Sequence, residues 1–260
     1  MPISLGAHPR RLYVDNPLKL VVCQVRFPVL TRYGEPGFLA PMQDALSARY
    51  PRFGEEQQVS ITLGPGGVAP APLPVPLSKF RDLEDGWSVA VARDFISVET
   101  TAYERWEDLR ERVEEVLEAA QGLGIPARER LGLRYINEIG HPDVTGPTDW
   151  RRFINERLLG MVGGEELGQD VIHALEEILL REEAGMLVVR HGHVGTEASQ
   201  SNSPFYLLDV DFYDDVARGF DAEETLEQLD TFHATTNNLF EESVKDDLRK
   251  HLGIKEEIDG

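Results

Sequence analysis

The order of elements along the chain predicts an α+β protein, a largely antiparallel sheet with helices packed on one face. Three observations lead there. Short segments rich in β-branched residues lie between Gly, Pro and Asp turns. Two long segments carry an apolar stripe with helical period. The order strand, helix, three strands, helix can be read twice, which is consistent with a tandem duplication of a β-α-β-β-β-α unit, residues 1–125 and 126–260, packed as one globular unit.

In the first half, Leu18 to Phe27 is a strand bounded by Pro17 and Pro28, with Val21, Cys23, Val25 and Phe27 on one face and Gln24 and Arg26 on the other. Pro36-Gly37 opens a helix on which Phe38, Met42, Leu46 and Tyr50 recur every fourth residue until Pro51. Gln58 to Leu63 is a short strand. The stretch Gly64 to Pro76, with its repeated glycine and proline, reads as an extended loop, and it lacks the Gly-Lys-Ser or Gly-Lys-Thr of a phosphate loop. Strands resume at Phe80 to Leu83, Trp87 to Ala92 and Phe95 to Thr101, joined by turns at Asp85-Gly86 and Arg93-Asp94. A helix from Tyr103 to Ala120 aligns Trp106, Leu109, Val113, Val116, Leu117 and Ala120, and Gly122 and Gly124 stop it.

The second half opens with the strand Arg130 to Ile139, followed by a helix from Asp149 to Leu159 capped by Thr148. Val171 to Arg181 and Met186 to Arg190 form a hairpin through Glu183-Ala184-Gly185. His191 to Pro204 is a polar, mobile loop, and Tyr206 to Tyr213 is a strand. A single helix from Ala222 to Leu252 carries Leu226, Leu229, Phe232, Thr236, Leu239, Phe240, Val244 and Leu248, and Ile254 to Gly260 is a frayed, charged tail. Two local matches support the repeat: Val25-Arg26-Phe27 with Leu133-Arg134-Tyr135, 108 residues apart, and Ser97-Val98-Glu99 with Asp209-Val210-Asp211, 112 apart.

With 260 residues, 41% of them hydrophobic, the chain can bury a large core. Its 46 acidic against 26 basic residues give a formal charge of −20, which repels a phosphate backbone and argues against nucleic-acid binding. One cysteine, Cys23, excludes an internal disulfide and a Cys₄ zinc site, and points to the cytoplasm. Residues Met1 to Arg11 lack a signal-peptide layout, and no segment approaches the roughly 18 apolar residues of a membrane span.

If helices cover the face of Val25, Phe27, Val98, Leu133, Tyr135 and Val210, then Arg26, Arg134, Ser97, Glu99, Asp209 and Asp211 share the opposite, open face. There Arg26, Glu99, Arg134, Asp209 and Asp211 are the candidate ligand- or partner-binding residues; the simplest role for such pairs is cross-strand ion pairing. Asp209 and Asp211 stand about 6–7 Å apart along one strand face and suit a divalent ion. His191 and His193 on the preceding hairpin would complete a weaker metal set with them. His173, in a strand, and His233, which flanks the apolar stripe of the last helix, are structural residues, and Cys23 is a buried, unreactive thiol. No Gly-x-Ser-x-Gly elbow is present, and no motif calls for a cofactor.

The run Tyr13-Val14-Asp15-Asn16-Pro17-Leu18 leading into Val21 to Pro28, the segment Phe95 to Tyr103 before Trp106, the run Arg130-Leu131-Gly132-Leu133-Arg134-Tyr135-Ile136-Asn137 and the closing Leu208-Asp209-Val210-Asp211 resemble a sporadically distributed family of bacterial proteins. The resemblance spans about Tyr13 to Leu252, and Leu-Gly-Leu-Arg-Tyr-Ile-Asn is its most specific part. Lys19 stands where the family pattern has an acidic residue, so a role for that carboxylate does not carry over. The resemblance implies a horizontally moved bacterial gene, with a patchy distribution that fits defence or toxin–antitoxin cargo, and it carries over no catalytic residues.

The expected function is noncatalytic: an acidic binding protein that recognises a protein partner or a small ligand, for example a neutraliser of a basic toxin. The competing expectation is a metal-dependent enzyme acting on a nucleotide or phosphoester, with Asp209 and Asp211 holding the ion and Arg26 or Arg134 on the phosphate.

Overall fold

The computed structural model describes residues 6, 8–64, 67–164, 171–195 and 203–258; for 57–64 and 67–76 it describes the backbone alone. In chain order the elements are β1 (Arg10–Tyr13), β2 (Leu18–Arg26), α1 (Ala40–Leu46), β3 (Arg52–Gly64), β4 (Gly67–Arg81), β5 (Trp87–Val91), β6 (Phe95–Thr100), α2 (Trp106–Gln121), β7 (Ala127–Arg128) and β8 (Arg130–Ile139). Three short 3₁₀ turns follow, then β9 (His173–Glu182), β10 (Gly185–Val194), β11 (Phe205–Asp214), β12 (Arg218–Gly219), α3 (Ala222–Ser243), α4 (Asp246–Leu252) and β13 (Ile254–Ile258). The fold is α+β, as the sequence predicts.

Nine antiparallel strands form the main sheet in the order β3-β4-β5-β6-β2-β8-β11-β10-β9, while β1 pairs with β13 and β7 with β12. Outward from the β2–β8 pair, the sheet reads β2-β6-β5-β4-β3 on one side and β8-β11-β10-β9 on the other. Gln24 and Gly132 face each other in that pair. Both halves therefore contribute to one sheet, and their helices α2 and α3 pack together over its inner face.

Alternation decides which residues reach that core. Val21, Cys23, Val25, Leu131, Leu133, Leu208, Val210 and Phe212 are buried against the α2 stripe of Trp106, Leu109, Val113 and Leu117 and the α3 stripe of Leu226, Leu229 and Phe232. Each such side chain contributes roughly 1.5–3 kcal/mol of transfer free energy. Phe38, Met42, Leu46 and Tyr50 are all buried beside them, although α1 itself is only seven residues long. The helix ends follow local chemistry. Glu107 and Asp108 oppose the dipole in the first turn of α2, the Asp221 carboxylate accepts the Glu224 N–H at 2.8 Å to cap α3, and Gly253 at φ +68° closes α4 behind Arg249, Lys250 and His251.

Five local expectations are corrected. The proline-rich stretch Gly64 to Pro76 is largely strand, because β3 and β4 run as a long hairpin, and β4 pairs with β5 only over Ser78 to Arg81. Pro70, Pro72, Pro74 and Pro76 recur at every second residue, so the N–H groups they lack all belong to one edge, which a strand paired on its other edge tolerates. The segment from Asp149 to Leu159 forms 3₁₀ turns at Pro147–Arg152, Glu156–Leu158 and Gly160–Gly163. Its cap is the Asp149 carboxylate, which accepts the Thr145 and Gly146 N–H groups, and Gly160 at φ +48° interrupts any longer helix.

The last helix is two helices. Val244 is extended and bridges Ile154, with Lys245 N–H bonded to the Phe153 carbonyl at 2.8 Å, so a tertiary strand contact overrides helical periodicity. The charged tail from Ile254 to Ile258 is a strand held by β1. Finally, β10 continues through His191 to Val194, where a loop is expected; 196–202 of that loop lie outside the described residues. Gly192 makes this continuation fit: at φ +147° a Cβ would stand 1.9 Å from the Ala174 carbonyl oxygen on β9. Among the described residues no helix is long and apolar enough to cross a membrane.

Candidate functional site

All five predicted binding residues lie on the sheet face away from the helices, and each carries an ionic partner. Asp209 is fully buried and accepts a bidentate pair from Arg134, Nε to Oδ1 and Nη2 to Oδ2, both at 2.7 Å. Arg190 adds a contact to the same carboxylate at 3.3 Å and holds Glu177 at 2.6 Å. Asp211 faces Arg130 at 3.4 Å, and the Arg130 guanidinium lies 4.4 Å over the Tyr213 ring. Burial raises the Asp211 carboxyl above the usual range, against the pull of Arg130 and Arg134. For Arg134 burial lowers the pKa, but the hydrogen bond and charge of Asp209 more than offset it and the net shift is upward.

In the first half, Glu99 accepts from Lys79 and from the Ser97 hydroxyl, both at 2.9 Å, while half-exposed Arg26 meets Asp94 at 3.4 Å. Glu99 and Arg134 are separated by Val22 in the same cross-strand row, so the two clusters are neighbours without touching directly. Three acids and three arginines, Glu177, Arg190, Asp209, Arg134, Asp211 and Arg130, thus alternate across β8 to β11. Such a balanced network fixes strand register, with its carboxylate oxygens engaged.

The weak metal set does not converge. Arg190 faces Asp209 across the β10–β11 ladder, and His191 and His193, offset by one residue, project through the other face. There His191 Nδ1 is 2.9 Å from the Tyr206 hydroxyl and His193 Nδ1 accepts from Trp150 Nε1 at 3.0 Å. Burial lowers both imidazoles. Among the described residues, no group of three or more His, Cys, Asp or Glu is placed to hold a metal ion. Cys23 is buried and its thiol is pushed up to about 12 by desolvation, which makes it an inert core residue.

Two of the buried polar atoms without a partner, Arg10 Nε and His233 Nε2, lie on the inner side of the sheet. A cavity of about 80 Å³, partly open to solvent, is bordered by β1, the start of α2, and α3. Arg10, Leu12 and Tyr13 of β1, Tyr103 and Trp106 at the start of α2, Tyr135 of β8, Val210 of β11, and His233 and Phe240 of α3 line it. Its largely apolar walls with a few convergent polar groups have the character of a small-molecule site.

His233 is its centre. The ring is 8% exposed, stacks on Trp106 at 4.5 Å and an interplanar angle of 7°, and meets the Tyr135 hydroxyl with Nδ1 at 3.0 Å. Its Nε2 is buried with no hydrogen-bond partner. Burial, reinforced by the Arg10 charge and opposed by Glu107, lowers the imidazole to about 3, so it is neutral at physiological pH. Arg10 pairs through Nη2 with Glu107, while its Nε is likewise buried and unpartnered. Burial also raises the hydroxyls of Tyr103 and Tyr135, keeping both protonated. Trp106 is held in place by Nε1 donating to Asp230 at 2.8 Å, a carboxylate that also takes Arg110 at 3.1 Å.

The strand over the cavity is anchored rather than loose. Glu241, almost fully buried, accepts from Arg11 at 2.8 Å, from the Tyr13 hydroxyl at 2.9 Å and from Arg249 at 3.1 Å. Arg105 and Arg11 tie β13 through Glu256 and Glu257. Sequence reasoning placed Trp106 and Tyr135 on inward faces and His233 beside the last apolar stripe, as a structural residue; Arg10 was given no role. No protein-family model matches the chain, and no curated protein matches it.

Proposed function

We propose that the chain is a noncatalytic binding protein whose ligand is a small molecule seated in the cavity beneath β1. One observation carries this: two buried polar atoms without a hydrogen-bond partner, His233 Nε2 and Arg10 Nε, belong to residues that line the cavity. Leaving a buried polar group unsatisfied costs about 1–3 kcal/mol, and a ligand that pairs them recovers that cost on binding. The open-face residues support the same choice from the other side, since their charges are already compensated by one another. Tyr103, Tyr135 and neutral His233 are not arranged with a nucleophile, which favours binding over catalysis.

The test is stabilisation by ligand. Fractions below about 1 kDa from cells that carry the gene are added to the purified protein, and unfolding is followed by heat. A fraction holding the ligand at about 100 times its Kd adds roughly 2.7 kcal/mol and raises Tm. Asn237→Trp, which places an indole at the half-buried cavity wall, is expected to abolish the shift while the unliganded Tm stays close to wild type. An equal shift in both proteins would place binding elsewhere.

A further inference from the structure

We infer that the ligand presents an uncharged carbonyl group on a flat, apolar body; this rests on the small-ligand reading of the same cavity. Consider first the protons. Tyr135 Oη and His233 Nδ1 are 3.0 Å apart, and a phenol is the better donor while an imidazole nitrogen is the better acceptor. Tyr135 is also hydrogen-bonded to Tyr103; with the Tyr103 hydroxyl donating to the Tyr135 oxygen, Tyr135 donates to Nδ1, and the ring proton is assigned to Nε2 on that chemistry. His233, a residue of the cavity lining, thus holds an N–H without an acceptor, and the buried Nε–H of Arg10, another lining residue, is a second such donor. Two donors without acceptors call for oxygen lone pairs, of which a carbonyl has two.

Charge selects among acceptors. The Arg10 guanidinium is already paired with Glu107, Glu104 stands on the cavity lining, and the whole chain carries −20. A carboxylate or phosphate would enter this field at a cost, with the local cation already neutralised; a neutral carbonyl supplies lone pairs for such donors without importing charge. The walls specify the rest of the molecule. Trp106, Tyr103 and Phe240 present aromatic surface to the space beside the donors, which favours a flat body that can lie against rings.

Three probes separate these features: benzamide, benzoate and toluene share one ring and differ in the acceptor. They are titrated into wild-type protein labelled with ¹⁵N at histidine, and the long-range ¹H–¹⁵N spectrum is assigned with His233→Gln. The free protein is expected to show the Nε2–H tautomer at His233. Benzamide is expected to shift the His233 Nε2 signal and to bind about tenfold more tightly than benzoate or toluene, the scale of one well-made buried hydrogen bond. Benzoate binding as tightly as benzamide overturns the inference of a neutral ligand, and toluene doing so overturns the role of the donors. An Nδ1–H tautomer also overturns it. If none of the probes binds while a cell fraction still raises Tm, the carbonyl inference fails and the small-ligand reading stands; if neither occurs, both fail.

Discussion

Asp209→Ala is expected to destabilise the protein by about 3 kcal/mol or more, the low end of what breaking a buried ion pair costs. The carboxylate is completely buried and serves two guanidiniums, Arg134 in bidentate geometry and Arg190 through one nitrogen. Removing it strands two like charges beside each other under a sheet face, with side chains only 19% and 25% exposed. That residual exposure lets water recover part of the loss, which sets the estimate at the low end. Asp211→Asn is the contrast. Its carboxyl is already raised by burial, its arginine contact is a long 3.4 Å, and an amide keeps the volume, so the change is expected to cost under about 1 kcal/mol. Urea midpoints at neutral pH measure both, and equal losses would contradict the assignment of Asp209 as the hub.

The second large effect is on acid stability. His233 in the folded protein does not take up a proton until about pH 3, whereas in the unfolded chain it titrates near 6.5. Between those values the unfolded state binds more protons. The stabilisation is therefore complete above about pH 6.5 and is lost as pH falls toward 3, with a limiting slope of about 1.4 kcal/mol per pH unit. Arg10 extends this dependence to lower pH by repelling the imidazolium, and Glu107 opposes it. His233→Gln removes the titration, so the variant's stability is expected to fall less steeply than wild type from pH 6 to 4. His141, His191 and His193, whose pKa values are also lowered, remain in both proteins and cancel in the difference. Parallel curves from urea unfolding at each pH would show that His233 is not held neutral by its surroundings.

Much of the architecture was legible because it is local. Val21, Cys23, Val25 and Phe27 alternate on one strand, and Trp106 to Ala120 keep one helical stripe; both patterns bury as written. What failed was decided by contacts distant in sequence. Nothing near Val244 announces its bridge to Ile154, and nothing in the acidic run after Ile254 announces β1 as its partner. The prolines of β4 were read by their number, although their spacing of two is compatible with a strand paired on one edge.

The candidate site divides in the same way. Alternation alone put Arg134, Asp209 and Asp211 on one face, and the pairing ladder then joined them as ion pairs. The histidine pair was misplaced by one structural fact, that β10 runs on to Val194, because a strand sends His191 and His193 away from Asp209. For the cavity, the signal was partly present: His233 interrupts an apolar stripe, and Tyr135 brings a hydroxyl to the inner face. Their meeting, and the arrival of Arg10 beside them, depends on the β1–β13 pairing that no local pattern encodes.

The most direct measurement of the central claim is native mass spectrometry of the tagged protein isolated gently from its own host, compared with the same sample after denaturation. The account predicts a small-molecule adduct at one per chain in wild type that is released on denaturation and is missing from Asn237→Trp. A wild-type mass equal to that of the bare chain, or an adduct that persists unchanged in Asn237→Trp, would contradict it.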